Sequence, residues 1–370
     1  MKTKLIANYL PQYHITPEND KWWGKGYTDW VAVKNASPVF DGHIQPKVPL
    51  NGYYDLTNYN VLKEQANLAN KYGIDGFGIY HYWFSSRQVL LTKPAEIILN
   101  NKDLDIDFMF IWDNGTWKRT WSKVKNLRYS NDWAPVFEED NCIQEDDGVL
   151  ARLDYGDETE WEKHFNYLFP YFCDKRYIKV GNKPVFVIFH QDNEADVLKS
   201  MFVYWNNLAR EKGFDGMFII GQKNVHNKHI ADEEFKYQPP WDGWTNKTIV
   251  SRGINKIKPV KKNIYDYDEI WSEILKNAIK DKDSNINFGA FVNYDDSPRR
   301  GGSGKIVVGG TPGKFQKYLS ELVKISNEQN KKFIFITAWN EWGEGAYLEP
   351  DTDNGYAYLE SLEYAARSLL

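Results

Sequence analysis

Glu341 and Glu344 stand three residues apart in Trp339-Asn340-Glu341-Trp342-Gly343-Glu344-Gly345, directly after the apolar, largely β-branched and aromatic run Phe333-Ile334-Phe335-Ile336-Thr337. On an extended chain, acids three apart point to opposite faces; in a turn or a first helical step they converge. Two carboxylates converging among Trp rings suit glycoside chemistry. Rings stack on sugar faces, while an apolar wall keeps one carboxyl protonated as a general acid and leaves its neighbour ionised. The bland alternative is a surface turn with solvated acids, and Glu-x-x-Glu alone is common. Trp on both sides of Glu341 favours chemistry, because large rings are costly to leave in water.

Such a turn needs a strand to deliver it and a scaffold to hold it. Apolar runs predict strands over Lys4 to Leu10, Ile74 to Trp83, Asp107 to Trp112, Pro184 to Phe189 and Met217 to Ile220, a short sixth over Phe235 to Gln238, then Asn287 to Val292 and the run before the turn. Amphipathic stretches predict helices over Tyr59 to Tyr72, with Gly73 as its C-cap, and over Pro94 to Asn100, Glu160 to Phe172, Ala195 to Lys212, Tyr267 to Lys280 and about Pro312 to Gln329. Eight strands alternating with helices imply parallel pairing, and the simplest closed arrangement is a (β/α)8 TIM barrel of the α/β class. A doubly wound open sheet is the competitor. The chain of 370 residues reads as one domain with long rim loops, residues 115–159 being a polar, acidic excursion over the rim.

In a barrel, the active site sits where strands end at their C-terminal side. Here those ends carry Tyr9, Gln12, His81, Asp113, His190, Gln222, Gln238, Asn293 and Glu341. The expected substrate-binding set adds Tyr13, His14, Trp22, Trp23, Tyr80, Trp83, Trp112, Asn114, Tyr294, Trp339, Asn340 and Trp342. With 16 % aromatic residues, including 15 Trp and 24 Tyr, many rings are expected to line a cleft rather than a core.

The remaining constellations have competing readings. His14, His81 and His190 each follow a strand, but no metal-ligand spacing supports zinc, and sugar-hydroxyl hydrogen bonds or core positions fit better. Gly309 to Gly313 precedes a helix without Walker spacing and reads as a rim loop. Arg299 and Arg300 either meet an anionic substrate group or pair with Asp295 and Asp296. The two cysteines, Cys142 and Cys173, form no CxxC or metal pattern. A net charge of -5 offers no basic surface for nucleic acid, and no apolar span reaches membrane length. The N-terminus enters a strand pattern without an apolar leader core, so the expectation is a cytoplasmic chain, with a trimmed secretion signal left open. The sequence carries no signal for oligomeric state.

Four stretches carry a resemblance: Ala7-Asn8-Tyr9-Leu10-Pro11-Gln12-Tyr13-His14, the segment from Trp22 to Trp30, Gly76 to Phe84, and Trp339 to Asp351. Together they resemble the WbsX-type family, which is associated with bacterial surface-polysaccharide loci, is often labelled glycosyltransferase, and is similar to glycoside hydrolase family 99, the endo-α-mannosidase-type barrels. The resemblance implies a (β/α)8 fold and a retaining mechanism with no metal or cofactor. It implies Glu341 as base on the sugar 2-hydroxyl, which attacks C1 to give a 1,2-anhydro sugar, and Glu344 as acid/base at the leaving oxygen. Two departures stand out. Gly343 lies where the mannosidases usually carry His, and Asp113-Asn114-Gly115-Thr116-Trp117 replaces the Glu-Asn-Trp common in WbsX-type chains. Three functions follow as expectations: an endo-acting hydrolase of a mannan- or rhamnan-like polysaccharide, a glycosyltransferase building such a polymer, or a non-catalytic carbohydrate-binding barrel. The transferase would need a nucleotide grip, and Asp103-Leu104-Asp105 and Asp105-Ile106-Asp107 have that spacing at the wrong end of a strand.

Overall fold

A computed structural model describes residues 2–118, 149–224, 226, 230–244, 263–282 and 284–367. Eight parallel strands close into a barrel: β1 (Lys4–Tyr9), β2 (Gly76–Ser85), β3 (Phe108–Trp112), β4 (Lys183–Ile188), β5 (Phe218–Gln222), β6 (Glu233–Phe235), β7 (Ile286–Phe291) and β8 (Phe333–Thr337). β1 closes the ring, pairing Lys4 with Phe333 on β8 and Ile6 with Gly76 on β2. Nearly every residue of these strands is buried, as expected for parallel strands covered on both faces. The open sheet is thereby excluded, and the expected strands appear in their expected order.

The helices outside the barrel are α1 (Tyr59–Tyr72), α2 (Lys93–Asn100), α3 (Glu158–Phe172), α4 (Ala195–Glu211), α5 (Tyr267–Lys280), α6 (Pro312–Glu328) and α7 (Ala357–Arg367). Their starts follow local chemistry. Asn58, Asp157, Asp266 and Thr311 each accept a backbone N–H of the first turn, and Gly73 takes the left-handed C-cap of α1 at φ 91°.

Among the described residues, several features differ from the sequence expectation. β6 spans Glu233–Phe235 rather than Phe235 to Gln238; between β5 and β6 no helix is expected and none lies there among the described residues. α7 was not expected; it packs Leu359, Leu362 and Ala365 into the core and supplies the helix after β8. Two rim helices, Pro17–Trp23 and Trp30–Lys34, bury Trp22, Trp23 and Trp30 in what reads as an irregular loop. The rim excursion begins and ends as a small antiparallel pair, Trp117–Lys118 with Val149–Ala151. Its acidic run, Glu138 to Asp147, and Cys142 lie outside the described residues. Gly289 marks a close approach between strands: a Cβ there would collide with the Lys236 carbonyl.

Candidate active site

After β8 the chain forms a tight hairpin. Asn340–Glu341 pairs antiparallel with Ala346–Tyr347 around a 3-10 turn, Trp342–Glu344, closed by Gly345 at φ 59°. The turn is anchored from several directions. Asn340 clamps Leu10 through both its N–H (2.8 Å) and carbonyl (3.0 Å), and the Tyr13 hydroxyl accepts the Trp342 N–H at 3.0 Å. Trp342 stacks on Tyr347 with centroids 3.7 Å apart and donates to Glu349 Oε2 at 2.7 Å. Glu349 also accepts from Tyr54 and Gln65, and burial lifts its pKa to about 7.

This anchoring turns Glu341 and Glu344 toward one guanidinium. Arg299 Nη2 donates to Glu341 Oε1 at 2.8 Å and to Asp29 Oδ2 at 2.5 Å, while Nη1 donates to Glu344 Oε1 at 3.1 Å. The two glutamates differ in depth, with side chains 7 % and 24 % exposed respectively. Burial drives Glu341 well above the ordinary carboxylate range, Glu344 and Asp29 add to this, and Arg299 opposes it. Burial works against the charge of Arg299 itself, but Asp29, Glu341 and Glu344 outweigh it and hold the guanidinium charged. Asp296, which pairs with Arg300 at 3.1 Å, rises to about 6 through burial and the proximity of Glu344.

Glu344 and Arg299 open onto a cleft of about 740 Å³ at the C-terminal rim. Of the residues expected to bind substrate, Gln12, Trp23, Asp113 and His190 line it; Tyr27, Asp29 and Trp117 join them. Gln12 donates to the Tyr82 hydroxyl at 3.0 Å, and the His190 ring lies 3.6 Å from Asp113, whose hydrogen bond raises the histidine's pKa against burial. Trp22 supports the wall by packing edge-on to Trp117 at 6.2 Å. Tyr80 and Tyr237 bond through their hydroxyls beside Glu341, and Tyr294 lies next to Glu344. Tyr13 sits below, also close to Glu341.

Other members of the expected set lie elsewhere. The Tyr9 hydroxyl donates to Gln65 on α1 at 2.7 Å, outside the barrel, and His14 is buried near Asp55, its pKa lowered by burial. His81, Trp83 and Trp112 gather around His164 of α3. His81 and His164 share a 2.8 Å hydrogen bond, Trp83 lies parallel to the His164 ring at 4.3 Å, and Trp112 donates to the Trp83 carbonyl. Strand alternation explains this, since Tyr80 and Tyr82 face inward toward Tyr237, Gln12 and Trp117 while His81 and Trp83 face the helix. Asn114 clamps His190 through both backbone groups and contacts Tyr155. Gln238 is buried against Asp242, and Trp339 packs on Phe77 at 5.2 Å. Asn293 lines a neighbouring cavity of about 380 Å³ with Asp295, Tyr347 and Asp351. The three histidines therefore do not meet, and among the described residues no group of three or more His, Cys, Asp or Glu is arranged to hold a metal.

Arg299 also corrects an expectation, since it pairs with Asp29 and both glutamates while Arg300 takes Asp296. Asp29, Tyr237 and Trp117 are absent from the expected set. Asp29 had a signal, being the acid inside the aromatic stretch from Trp22 to Trp30. The Asp-x-Asp spacings sit far from the rim, for Asp105 and Asp107 line a groove with Gly73 and Asp75 at the N-terminal end of the strands.

A closed (β/α)8 barrel with paired carboxylates on the loop after its last strand defines a glycoside-hydrolase-like fold. By fold the chain is similar to the GH99 endo-alpha-mannosidase from Bacteroides thetaiotaomicron in complex with BIS-TRIS-Propane (TM-score 0.56, 14 % identity, covering 98 % of this chain and 96 % of that one). It is likewise similar to a solved glycoside hydrolase-like protein (TM-score 0.60, 14 % identity, 98 % and 94 % coverage). Residues 5–362 match the family described as Glycosyltransferase WbsX, and the chain belongs to that family. It is 28 % identical over 369 residues to "Uncharacterized protein WxcX" of Xanthomonas campestris pv. campestris strain B100, covering 98 % of this chain and 49 % of the relative. The chain thus spans about half the length of the curated relatives it matches.

Proposed function

We propose that the protein is a retaining, endo-acting glycoside hydrolase that cleaves a bacterial or host polysaccharide of mannan- or rhamnan-like chemistry. The observation that carries this reading is a single turn holding two carboxylates at unequal depth on one guanidinium beside a Trp- and Tyr-walled cleft. Glu341 takes the proton of the sugar 2-hydroxyl, whose oxygen attacks C1 while Glu344 protonates the departing glycosidic oxygen. Glu344 then removes a proton from the water that opens the 1,2-anhydro ring at C1, and Glu341 returns its proton to the 2-oxygen. The division of roles rests on the family resemblance; the need for two groups follows from the two bonds they serve. Gln12, Trp23, Trp117 and His190 would hold the chain along the cleft. The reading calls for no metal or cofactor.

The family's description motivates a second reading, a glycosyltransferase acting on a surface polysaccharide. It would have to find its nucleotide grip at the rim, and the Asp-x-Asp spacings do not supply it there. Incubation with mannans, rhamnans and O-antigen polysaccharides decides between them. Oligosaccharide release supports the hydrolase, whereas consumption of a nucleotide sugar with no polysaccharide cut overturns it.

A further inference from the structure

Gly343 stands between the two glutamates, and a Cβ built on it would lie 2.6 Å from Arg299 Nε and 2.8 Å from its Cζ and Nη2. The guanidinium therefore occupies the volume that any side chain at position 343 would need. Its φ is not among the positive values, so the backbone conformation admits alanine, and the nearest obstacle is Arg299. From this geometry, and resting on the glycosidase reading, we propose that Arg299 is a positioning residue that fixes Glu341 relative to Glu344 and draws it toward its ionised form, and that Gly343 is the gap which admits it.

The electrostatics of the cluster call for such a residue. Asp29 and Tyr27 face it from the rim segment, Tyr13 from the chain after β1, and Tyr80 from β2. Tyr237 faces it from beyond β6, and Tyr294 and Asp296 from beyond β7. The raised tyrosines stay neutral, whereas burial, together with the negative charge of Glu344 and Asp29 beside Glu341, favours its protonated form. Among the described residues, Arg299 is the basic group that touches Glu341 directly, and it also holds Asp29 and Glu344. A base that must accept the 2-hydroxyl proton has to be ionised first. Without Arg299, Glu341 would keep its proton to higher pH and swing free of Glu344. Because Nη1 and Nη2 belong to one rigid plane, the fork sets the spacing of the carboxylates as well as their charge.

The test compares Arg299→Met, Arg299→Lys and Gly343→Ala with wild type on a cleaved polysaccharide, over a pH series. Arg299→Met is expected to lower kcat at neutral pH by about 100-fold with little change in KM, and to move the acid limb of the rate profile upward by about one unit or more. Arg299→Lys should recover part of both effects. Gly343→Ala keeps the charge but displaces the fork, so it should lower kcat without abolishing folding, and it serves if Arg299→Met fails to fold. A folded Arg299→Met enzyme with its acid limb unmoved overturns the proposal. Should wild type cleave nothing, the glycosidase reading falls, and 13C titration of labelled glutamates still decides the charge role. The Glu341 signal, assigned by its loss in Glu341→Gln, must titrate higher in Arg299→Met, and an unmoved titration overturns the assignment.

Discussion

The turn after β8 and the outer face of β2 are built from similar materials: titratable groups ringed by Trp and Tyr at the end of a barrel strand. At the turn, two carboxylates share a guanidinium and one of them opens to a cleft. Behind β2, His81 and His164 share a hydrogen bond within a closed box of Trp83, Trp112, Phe186 and Trp205. Burial lowers the pKa of both histidines, that of His81 to about 3, so both are neutral at ordinary pH. The first arrangement keeps the charge of Arg299 and opens to the cleft through Glu344, whereas the second discards charge and fills the space between strand and helix. What separates them is which way the strand alternation turns a side chain, not which residues are present.

The sharpest way to break this comparison is to neutralise the turn. Glu341→Gln should lose at least about 1,000-fold in activity on polysaccharide and on an aryl or fluoride glycoside alike, because 2-hydroxyl attack is needed whatever departs. Glu344→Gln should lose as much on polysaccharide yet keep activity on the activated substrate, whose leaving group needs little protonation. Swapped phenotypes would reverse the two roles, and full activity in both variants would remove the site from this turn. Neither change should lower the Tm.

His164→Ala is the matching change behind β2. It leaves a cavity among four aromatic rings and an unpartnered His81, so urea unfolding should show a loss of about 3 kcal/mol. The kcat/KM of the folded variant should be unchanged; a selective loss of activity would place the histidine pair within the cleft's machinery. A smaller effect is expected from Trp117→Ala, which removes a cleft wall packed edge-on against Tyr82 at 4.8 Å. KM should rise about tenfold with kcat little altered, while Trp83→Leu should alter stability and leave KM alone.

The barrel was legible because its strands are short apolar runs bounded by turn residues, and because parallel strands bury both faces. The Glu341 and Glu344 pair was legible because it is local. Its partners were not. Asp29 and Arg299 are 270 positions apart, and only closure of the barrel brings them together. The rim helices Pro17–Trp23 and Trp30–Lys34 are too short for helical periodicity to show. The strand-end residues were legible as polar and aromatic but not by direction: Tyr80 and His81 are neighbours that face opposite sides. Asn114 and Asn340 read as sugar contacts from their place at strand ends, yet each pairs with both backbone groups of one distant residue, His190 and Leu10 respectively.

The finest distinction concerns a third carboxyl, Glu349, which belongs to the same motif as Glu341 and is buried for support rather than exposed for chemistry. Tyr54, Gln65 and Trp342 all donate to it and favour the ionised form, but burial prevails and its pKa stands near 7. Since this folded value lies above that of an unfolded Glu, the folded chain binds the proton more tightly. The resulting stability is fully present below pH 4.5 and is lost as pH rises through about 7. Glu349→Gln cannot titrate, so the fall in unfolding free energy between about pH 5 and 8 should be shallower in the variant, by up to about 1.4 kcal/mol per pH unit at the steepest point. Comparing slopes rather than absolute stabilities matters, because glutamine also forfeits one acceptor for the three donors. Equal slopes would mean that Glu349 stays ionised across the range, held by those donors, and the turn would then rest on a buried charge instead of a buried proton.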